Sequence, residues 1–441
     1  MEKILSEREK KSIALDILVF LGVIAYFVLR IIYSSGEFTP DSIQYLQQAQ
    51  DFWDYKVNFP LGYPFLINIF SLFTGSLIIA SKLINILSYI GIILFSYKKK
   101  FFFPQTLFIF SFYPFLGLYT LTLSESVYYF FNYLIIYFVY KIIEGGFNTK
   151  RIFSLAILFF ILTSIRFSGV FVFATAIAFL GYITFKKKYS IKSYSFLVIS
   201  TLFGVLSYLL INYLYCGFPL GQRDHLHIEP ENCIEFISRI SVSTCKDFSF
   251  LNAIIHKGLL NKISFINIFV GAVLIITAFL VLLKKGKKIS YFNLYLAFSF
   301  IGILLTLLYS YYTTRIDDTI RIKSNVYLYL VLLIAFNIPR SIINYAKVFV
   351  IFTLGINSFT LIKHSESIIK HIPKYETLIC KTNDKSINII YKNYKDSNEK
   401  NNSAVLLFKA ILIDKGYKFL DSEQPDPKVS NCQIQTSEII K

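Results

Sequence analysis

The sequence predicts an all-α, polytopic membrane protein, and three observations carry that expectation. Apolar runs of bilayer-crossing length recur along the chain, 55% of its 441 residues are hydrophobic and 18% aromatic, and its lysines gather in short clusters between the runs. A helix needs roughly 20 apolar residues to cross the hydrocarbon, where the amides of an open sheet edge find no water. A soluble domain of this length has no interior large enough for so much apolar surface. The formal charge of +18 is not a nucleic-acid footprint, because the cations punctuate the runs instead of lining one amphipathic face. They read as orientation signals.

Those clusters are Lys10-Lys11, Lys98-Lys99-Lys100, Lys150-Arg151, Lys186-Lys187-Lys188 and Lys284-Lys285-Gly286-Lys287-Lys288. Placing every cluster on the cytoplasmic side forces two crossings between each consecutive pair. The expected spans are 12–33, 76–97, 104–122, 125–143, 152–165, 168–185, 193–215, 263–283, 290–312, 324–339 and 346–362. They make a bundle of about 11 transmembrane helices, N-terminus inside and C-terminus outside. Residues 64–75 can be a partial insertion, and 152–165 is short for a full span. The run 12–33 exceeds a signal-peptide core, Arg30 interrupts its far end and no small-residue cleavage site stands out, so the first span is expected to stay as an anchor. The 32 tyrosines are expected to reflect mainly membrane-interface anchoring and base composition.

The polar mass lies outside in this topology: a first external loop at 34–75, a large one at 216–262 and a tail at 363–441. The chain therefore divides into a transmembrane module, 1–362, and an external soluble appendage, 363–441. In the appendage, 386–391 reads as a strand and 404–414 as a helix stopped by Gly416, a small α/β unit that is marginal alone. All five cysteines, Cys216, Cys233, Cys245, Cys380 and Cys432, fall outside or at the outer boundary. That points to an oxidising compartment, with Cys233–Cys245 and Cys380–Cys432 as candidate pairs.

The first loop carries the clearest local signals. Thr39 can cap a helix, Pro40 suits its first turn, and Asp41 complements the positive end of the dipole. Asp41, Tyr45 and Ala49 then share one face, and the helix should end near 55–56. Phe65 to Phe73 offers an apolar, aromatic surface for the membrane interface before Gly75 turns the chain, and Trp53 suits the same depth.

Several ionisable groups collect near the same outer boundary: Lys82, Glu125, Arg166, and Arg315, Asp317, Asp318, Arg321 and Lys323. Each has an ordinary alternative. Asp41 and Glu125 can be simple helix-start acids, Lys82 and Arg166 can snorkel, and 313–323 can be a solvated loop. Together, however, one acid ringed by arginines at the outer membrane boundary suggests a site for an anionic substrate, and a lipid phosphate suits guanidinium groups best. His225 and His227, with Arg223 and Asp224, form the most polar part of the large loop. Acceptor contact or solvation fits them better than zinc, since no third and fourth ligand follows at metal spacing.

The run Asp41-x3-Tyr45-x3-Ala49, then Pro60-Leu61-Gly62-Tyr63-Pro64, Gly75-Ser76 and Lys82, resembles the first external loop of the GT-C superfamily. These are membrane glycosyltransferases that use polyprenyl-phosphate-linked sugars, and the nearest branch is the bacterial one that is protein-mannosyltransferase-like and aminoarabinose-transferase-like. Glu125 and Arg166-Phe167-Ser168-Gly169 match positions where that group tends to carry an acid and an arginine. The resemblance covers roughly the first 190 residues. It departs at Asp41-Ser42-Ile43, where some members have Asp-Glu or Asp-x-Asp, so a divalent metal has no clear ligand set here, and at Pro60-Leu61, where many have two prolines.

The resemblance implies a bacterial inner-membrane enzyme facing the periplasm or exterior. It would transfer a sugar from a polyprenyl-phosphate donor to a cell-envelope glycan, lipid or protein. Asp41 would be the general base of an inverting displacement, with Glu125 orienting the acceptor or sharing that role. Arg315, Arg321, Arg166 and Lys82 would hold the donor phosphate, and Tyr45, Tyr63, His225 and His227 the acceptor side. Two other readings stay open. An O-antigen-type polymerase would carry its basic residues in a large late external loop, and a transporter or flippase of lipid-linked glycans would show mid-span charges and paired broken helices.

Overall fold

The computed structural model describes residues 7–33, 38–53, 59–220, 232–253, 261–284, 290–314, 320–364, 368–379, 385–391, 400, 402–422 and 432–440. The first half runs α1 (Glu7–Tyr33), α2 (Pro40–Gln50), α3 (Gly62–Thr74), α4 (Leu77–Lys99), α5 (Phe103–Phe110), α6 (Tyr113–Leu116), α7 (Glu125–Gly145), α8 (Thr149–Ile165), α9 (Gly169–Lys187) and α10 (Ile191–Cys216). There follow α11 (Cys233–Phe248), α12 (Ser264–Lys284), α13 (Tyr291–Thr314), α14 (Ile320–Asn337), α15 (Arg340–His364) and α16 (Ile368–Leu378). The chain ends with β1 (Ser386–Ile390), α17 (Ser403–Asp414), β2 (Lys418–Ser422), β3 (Gln433–Gln435) and α18 (Thr436–Ile440).

Among the described residues seven helices are long and apolar enough to cross a membrane: Lys11–Tyr33, Leu77–Lys99, Glu125–Gly145, Gly169–Lys187, Ile191–Cys216, Tyr291–Tyr312 and Arg340–Lys363. The protein is an all-α, multi-pass membrane protein in its main body. Leu18 and Leu21 on α1, Leu87 and Leu94 on α4, and Phe203 and Leu210 on α10 face outward. Apolar side chains so placed belong against lipid. Inside, α8 packs on α10, α1 on α15, and α13 on α14.

One expected span is not a single helix. Between Lys100 and Glu125 the chain forms α5, the short α6 and a series of turns, so 104–122 is a broken segment. Pro104 and Pro114 lack amide hydrogens, and irregular backbone at this depth survives only where protein satisfies it. From the polar face of α4, Lys82 and Asn85 take up two of the segment's carbonyls, and Ser81 and Tyr89 hold two of its hydroxyls. Tyr89 OH pairs with Ser111 Oγ at 3.2 Å, Asn85 Nδ2 donates to the Leu121 carbonyl at 2.5 Å, Lys82 Nζ to the Thr120 carbonyl at 2.6 Å, and Ser81 Oγ pairs with Thr122 Oγ1 at 3.0 Å. The tyrosines correct a second expectation. Tyr63, Tyr89, Tyr119, Tyr129, Tyr133 and Tyr329 are fully buried, and Tyr133 and Tyr329 hydroxyls bond to Thr106 Oγ1 and Asn132 Oδ1, both at 2.7 Å. They are polar links of the bundle core as much as interface anchors.

The C-terminal residues form a three-stranded sheet in the order β2-β1-β3, both neighbours parallel to β1. Helix α17, buried from Val405 to Ile413, lies against α2 and α4. Its last residue, Asp414, accepts from Ser76 Oγ at 2.9 Å and from the Ile78 amide at 3.2 Å, capping the start of α4. The tail thereby braces the first loop.

The cysteines settle one pairing. Cys233 and Cys245 are free thiols on α11; twelve positions apart on one helix, they are about 18 Å apart and cannot bridge. Cys432 is disulfide-bonded, and Cys380 lies outside the described residues.

Candidate active site

Helix α2 begins where its capping chemistry puts it. Thr39 Oγ1 accepts from the Ser42 amide at 3.2 Å and Ser42 Oγ accepts from the Thr39 amide at 3.0 Å. With Pro40 as the first helical residue, Asp41 falls in the first turn. The helix stops at Gln50, earlier than residues 55–56. There Asn68 of α3 takes the Ala49 carbonyl at 2.7 Å and Phe52 packs on Phe65 at 5.6 Å, drawing the chain out of the helix.

Three other segments converge on this turn. Arg321, near the start of α14, gives Nη2 to Asp41 Oδ2 and lies with Nε 2.9 Å from Glu125 Oε1. Arg166, between α8 and α9, reaches the same Glu125 oxygen with Nη1 at 2.5 Å and Ser124 Oγ at 3.4 Å. Glu125 opens α7 with its side chain 1% exposed, whereas Asp41 and Arg321 are each 27% exposed. Two carboxylates and two guanidiniums thus balance in one cluster, as a charge this deep requires. Burial works against the Arg166 charge, but Glu125 and Tyr45 outweigh it and hold the guanidinium above the ordinary arginine range.

A polar and aromatic wall backs the cluster. Tyr45 OH pairs with Ser124 Oγ at 3.1 Å, and its ring meets Tyr63 edge to face at 5.1 Å. Tyr63 OH donates to Asn85 Oδ1 at 3.3 Å. Tyr45 is 4% exposed and Tyr63 fully buried, so both support the site from behind and present no open face to an acceptor. Burial pushes the Tyr45 hydroxyl up to about 12; Arg166 pulls the other way, while Glu125 and Asp41 add to the rise. Gly62 makes this assembly possible. A Cβ there would stand 2.6 Å from Ser164 Oγ and 2.7 Å from the Ser164 carbonyl oxygen, so only glycine lets α3 start against the end of α8 that carries Arg166.

Of the residues singled out in the sequence, Asp41, Glu125, Arg166 and Arg321 come together, with Tyr45 and Tyr63 as their wall. Lys82 is 4% exposed, bonded to the Thr120 carbonyl and 4.7 Å from the centre of the Phe38 ring; none of the four cluster residues is among these contacts. Arg315, Asp317, Asp318, Arg223, Asp224, His225 and His227 lie outside the described residues. Among the described residues no three His, Cys, Asp or Glu side chains group as a metal site.

Two contributors were not foreseen. Ser124 links Tyr45 to Arg166, and its only signal is its place beside Glu125. Asp247 of α11 pairs with Lys323 of α14 and accepts from Tyr327 OH at 2.8 Å, tying α11 to the helix that carries Arg321; nothing in its sequence surroundings distinguishes it. No family model, curated protein or solved structure matches this chain.

Proposed function

We propose that the protein is an integral-membrane glycosyltransferase that moves a sugar from a polyprenyl-phosphate carrier to a cell-envelope acceptor, with its site on the outer face of a bacterial inner membrane. The observation that carries this reading is the cluster of Asp41, Glu125, Arg166 and Arg321, built from four distant segments at the end of the bundle away from the Lys98, Lys99 and Lys100 cluster. By the positive-inside rule that end is external.

The exposures divide the roles. Asp41, part-accessible in a first turn, is the general base; Glu125, dry and touching both guanidiniums, positions them. An acceptor hydroxyl gives its proton to Asp41 as its oxygen bonds to the anomeric carbon. The bond from that carbon to the phosphate oxygen breaks, with inversion, and the polyprenyl phosphate leaves with the electron pair. Arg321 and Arg166 stabilise the charge that develops on it. Because Arg321 pairs with Asp41, a donor phosphate competes for that guanidinium and frees Asp41 to act as base. Donor binding and base activation are then one event.

The test is transfer of labelled sugar from a mixed pool of polyprenyl-phosphate donors in membranes holding native protein or Asp41→Asn, matched for folded protein. A loss of about 10²- to 10⁴-fold is expected. Equal transfer by both would remove Asp41 from catalysis.

A further inference from the structure

At the other end of the bundle lies a second charged feature of opposite character. A cavity of about 690 Å³ is lined by Lys98, Lys99 and Lys100 at the end of α4, Lys141 near the end of α7, and Arg340 at the start of α15, with no acidic residue among its lining. From Glu125 to Lys141 along α7, and from Arg321 to the end of α14, the helices rise about 24 Å, so the cavity and the acid–arginine cluster occupy opposite ends.

Orientation signalling alone does not account for it. One member of each of two other clusters on this face is engaged with backbone: Lys187 donates to the Ile143 carbonyl at 2.5 Å, and Arg151 to the Lys141 and Gly146 carbonyls at 2.9 and 2.7 Å. Among the described residues the ammonium groups of Lys98, Lys99 and Lys100 have no such partner, while Arg340 donates to Ser12 Oγ at 3.1 Å, which fixes it at the rim. The turn that presents the lysines is held in a costly shape, with Lys100 at φ 50 and Phe102 at φ 48, left-handed positions where glycine would be free of strain. Phe102 stacks on Phe336 at 4.1 Å and closes the floor. One turn back along α4, Leu94 and Tyr97 are 47% and 63% exposed, so the cavity opens beside a lipid-facing surface.

We propose that this cavity binds the phosphate of an anionic phospholipid, with the acyl chains lying along α4 beside Leu94 and Tyr97. Basic pockets between helices at the cytoplasmic end suit such headgroups, and the aromatic floor gives the glycerol region an apolar seat. The site is separate from the one assigned to sugar transfer.

The experiment uses the purified full-length protein in neutral detergent and reads the rise in thermal unfolding midpoint against concentration of dioctanoyl phosphatidylglycerol, dioctanoyl phosphatidylcholine or inorganic phosphate. Phosphatidylglycerol is expected to give a saturable rise, and Lys98→Gln/Lys99→Gln/Lys100→Gln to need roughly a hundredfold more of it. Lys186→Gln/Lys188→Gln, which removes charge from the same face away from the cavity, should respond as the native protein does. If the triple variant does not fold, Lys99→Gln/Lys141→Gln replaces it, with an expected weakening of roughly tenfold. Equal rises with phosphatidylcholine, or an undiminished response in the cavity variants, would overturn the proposal. A saturable rise with inorganic phosphate that the cavity variants also lose would overturn the lipid source and assign the cavity to soluble phosphate.

Discussion

The two ends of the bundle handle charge in opposite ways. At one, two acids and two arginines are packed so closely that every charge touches its opposite, and Glu125 is almost dry. At the other, five cations surround an open cavity without an acid among them. The same helices connect both: α4 carries buried Lys82 near its start and exposed Lys98 at its end, and α7 begins with Glu125 and nears its end with Lys141. The paired end is preorganised, so a ligand there must compete for an existing partner. The unpaired end has field to spare, and a ligand there supplies the missing charge. Removal of one charge should therefore be costly at the first end and nearly silent at the second.

Glu125→Gln is the strongest way to break that comparison. It leaves two guanidiniums facing each other with Asp41 as their one remaining acid, and loss of a buried partner costs about 3–5 kcal/mol. A clear fall in thermal or denaturant stability is expected, together with loss of transfer. The ligand-free Lys98→Gln/Lys99→Gln/Lys100→Gln variant should unfold with the native protein, as exposed substitutions do. Equal stability losses at the two ends would mean that the lysines are as structurally engaged as Glu125.

The paired end was more legible in sequence than the core that supports it. Thr39-Pro40-Asp41 announces its helix through local chemistry, and Asp41, Glu125, Arg166 and Arg321 each stand out as charges beside apolar runs. What local chemistry does not contain is partnership: Arg321 lies 280 positions from Asp41, and only the packing of α14 joins them. The broken segment after Lys100 was missed for a related reason. Its apolar composition matches a span, while carbonyls in its broken backbone are taken up by Lys82 and Asn85 of another helix, and its Ser111 and Thr122 hydroxyls by Tyr89 and Ser81. Lys82, which its charge singled out as a phosphate ligand, also donates to the Thr120 carbonyl and lies over the Phe38 ring. Cys233 and Cys245 looked like a pair because spacing alone does not reveal that a helix holds them apart. Asp414, in a tail with no evident tie to the first loop, gave no sign that it caps α4.

That cap offers a smaller test of how the paired end is held. Asp414→Ala removes an ionised acceptor from Ser76 Oγ and the Ile78 amide, a loss of about 2 kcal/mol for charge-assisted bonds at a helix start. Because α17 also packs on α2, the loosened tail should lower sugar transfer while leaving phosphatidylglycerol binding at the far cavity unchanged. A matching loss at both ends would show that the tail stabilises the whole bundle and does not brace one end of it.

Tyr45 sharpens the comparison least in magnitude but tests whether the wall behind the paired end is closed. With its hydroxyl pushed up to about 12 in the folded protein against an ordinary value near 10, Tyr45 contributes no pH dependence below pH ~10. Above that the unfolded chain loses the proton first, so native stability falls by about 1.4 kcal/mol per pH unit until the folded hydroxyl ionises as well. Tyr45→Phe lacks this slope. At pH ~9 it should be about 1 kcal/mol less stable than the native protein, for want of the bond to Ser124. By pH ~11 the gap should close or reverse, as read from denaturant midpoints of the two proteins side by side. A gap that stays constant from pH ~9 to pH ~11 would place the hydroxyl in water. The acid–arginine cluster would then lack a dry wall, and the contrast between a packed end and an open one would lose its physical basis.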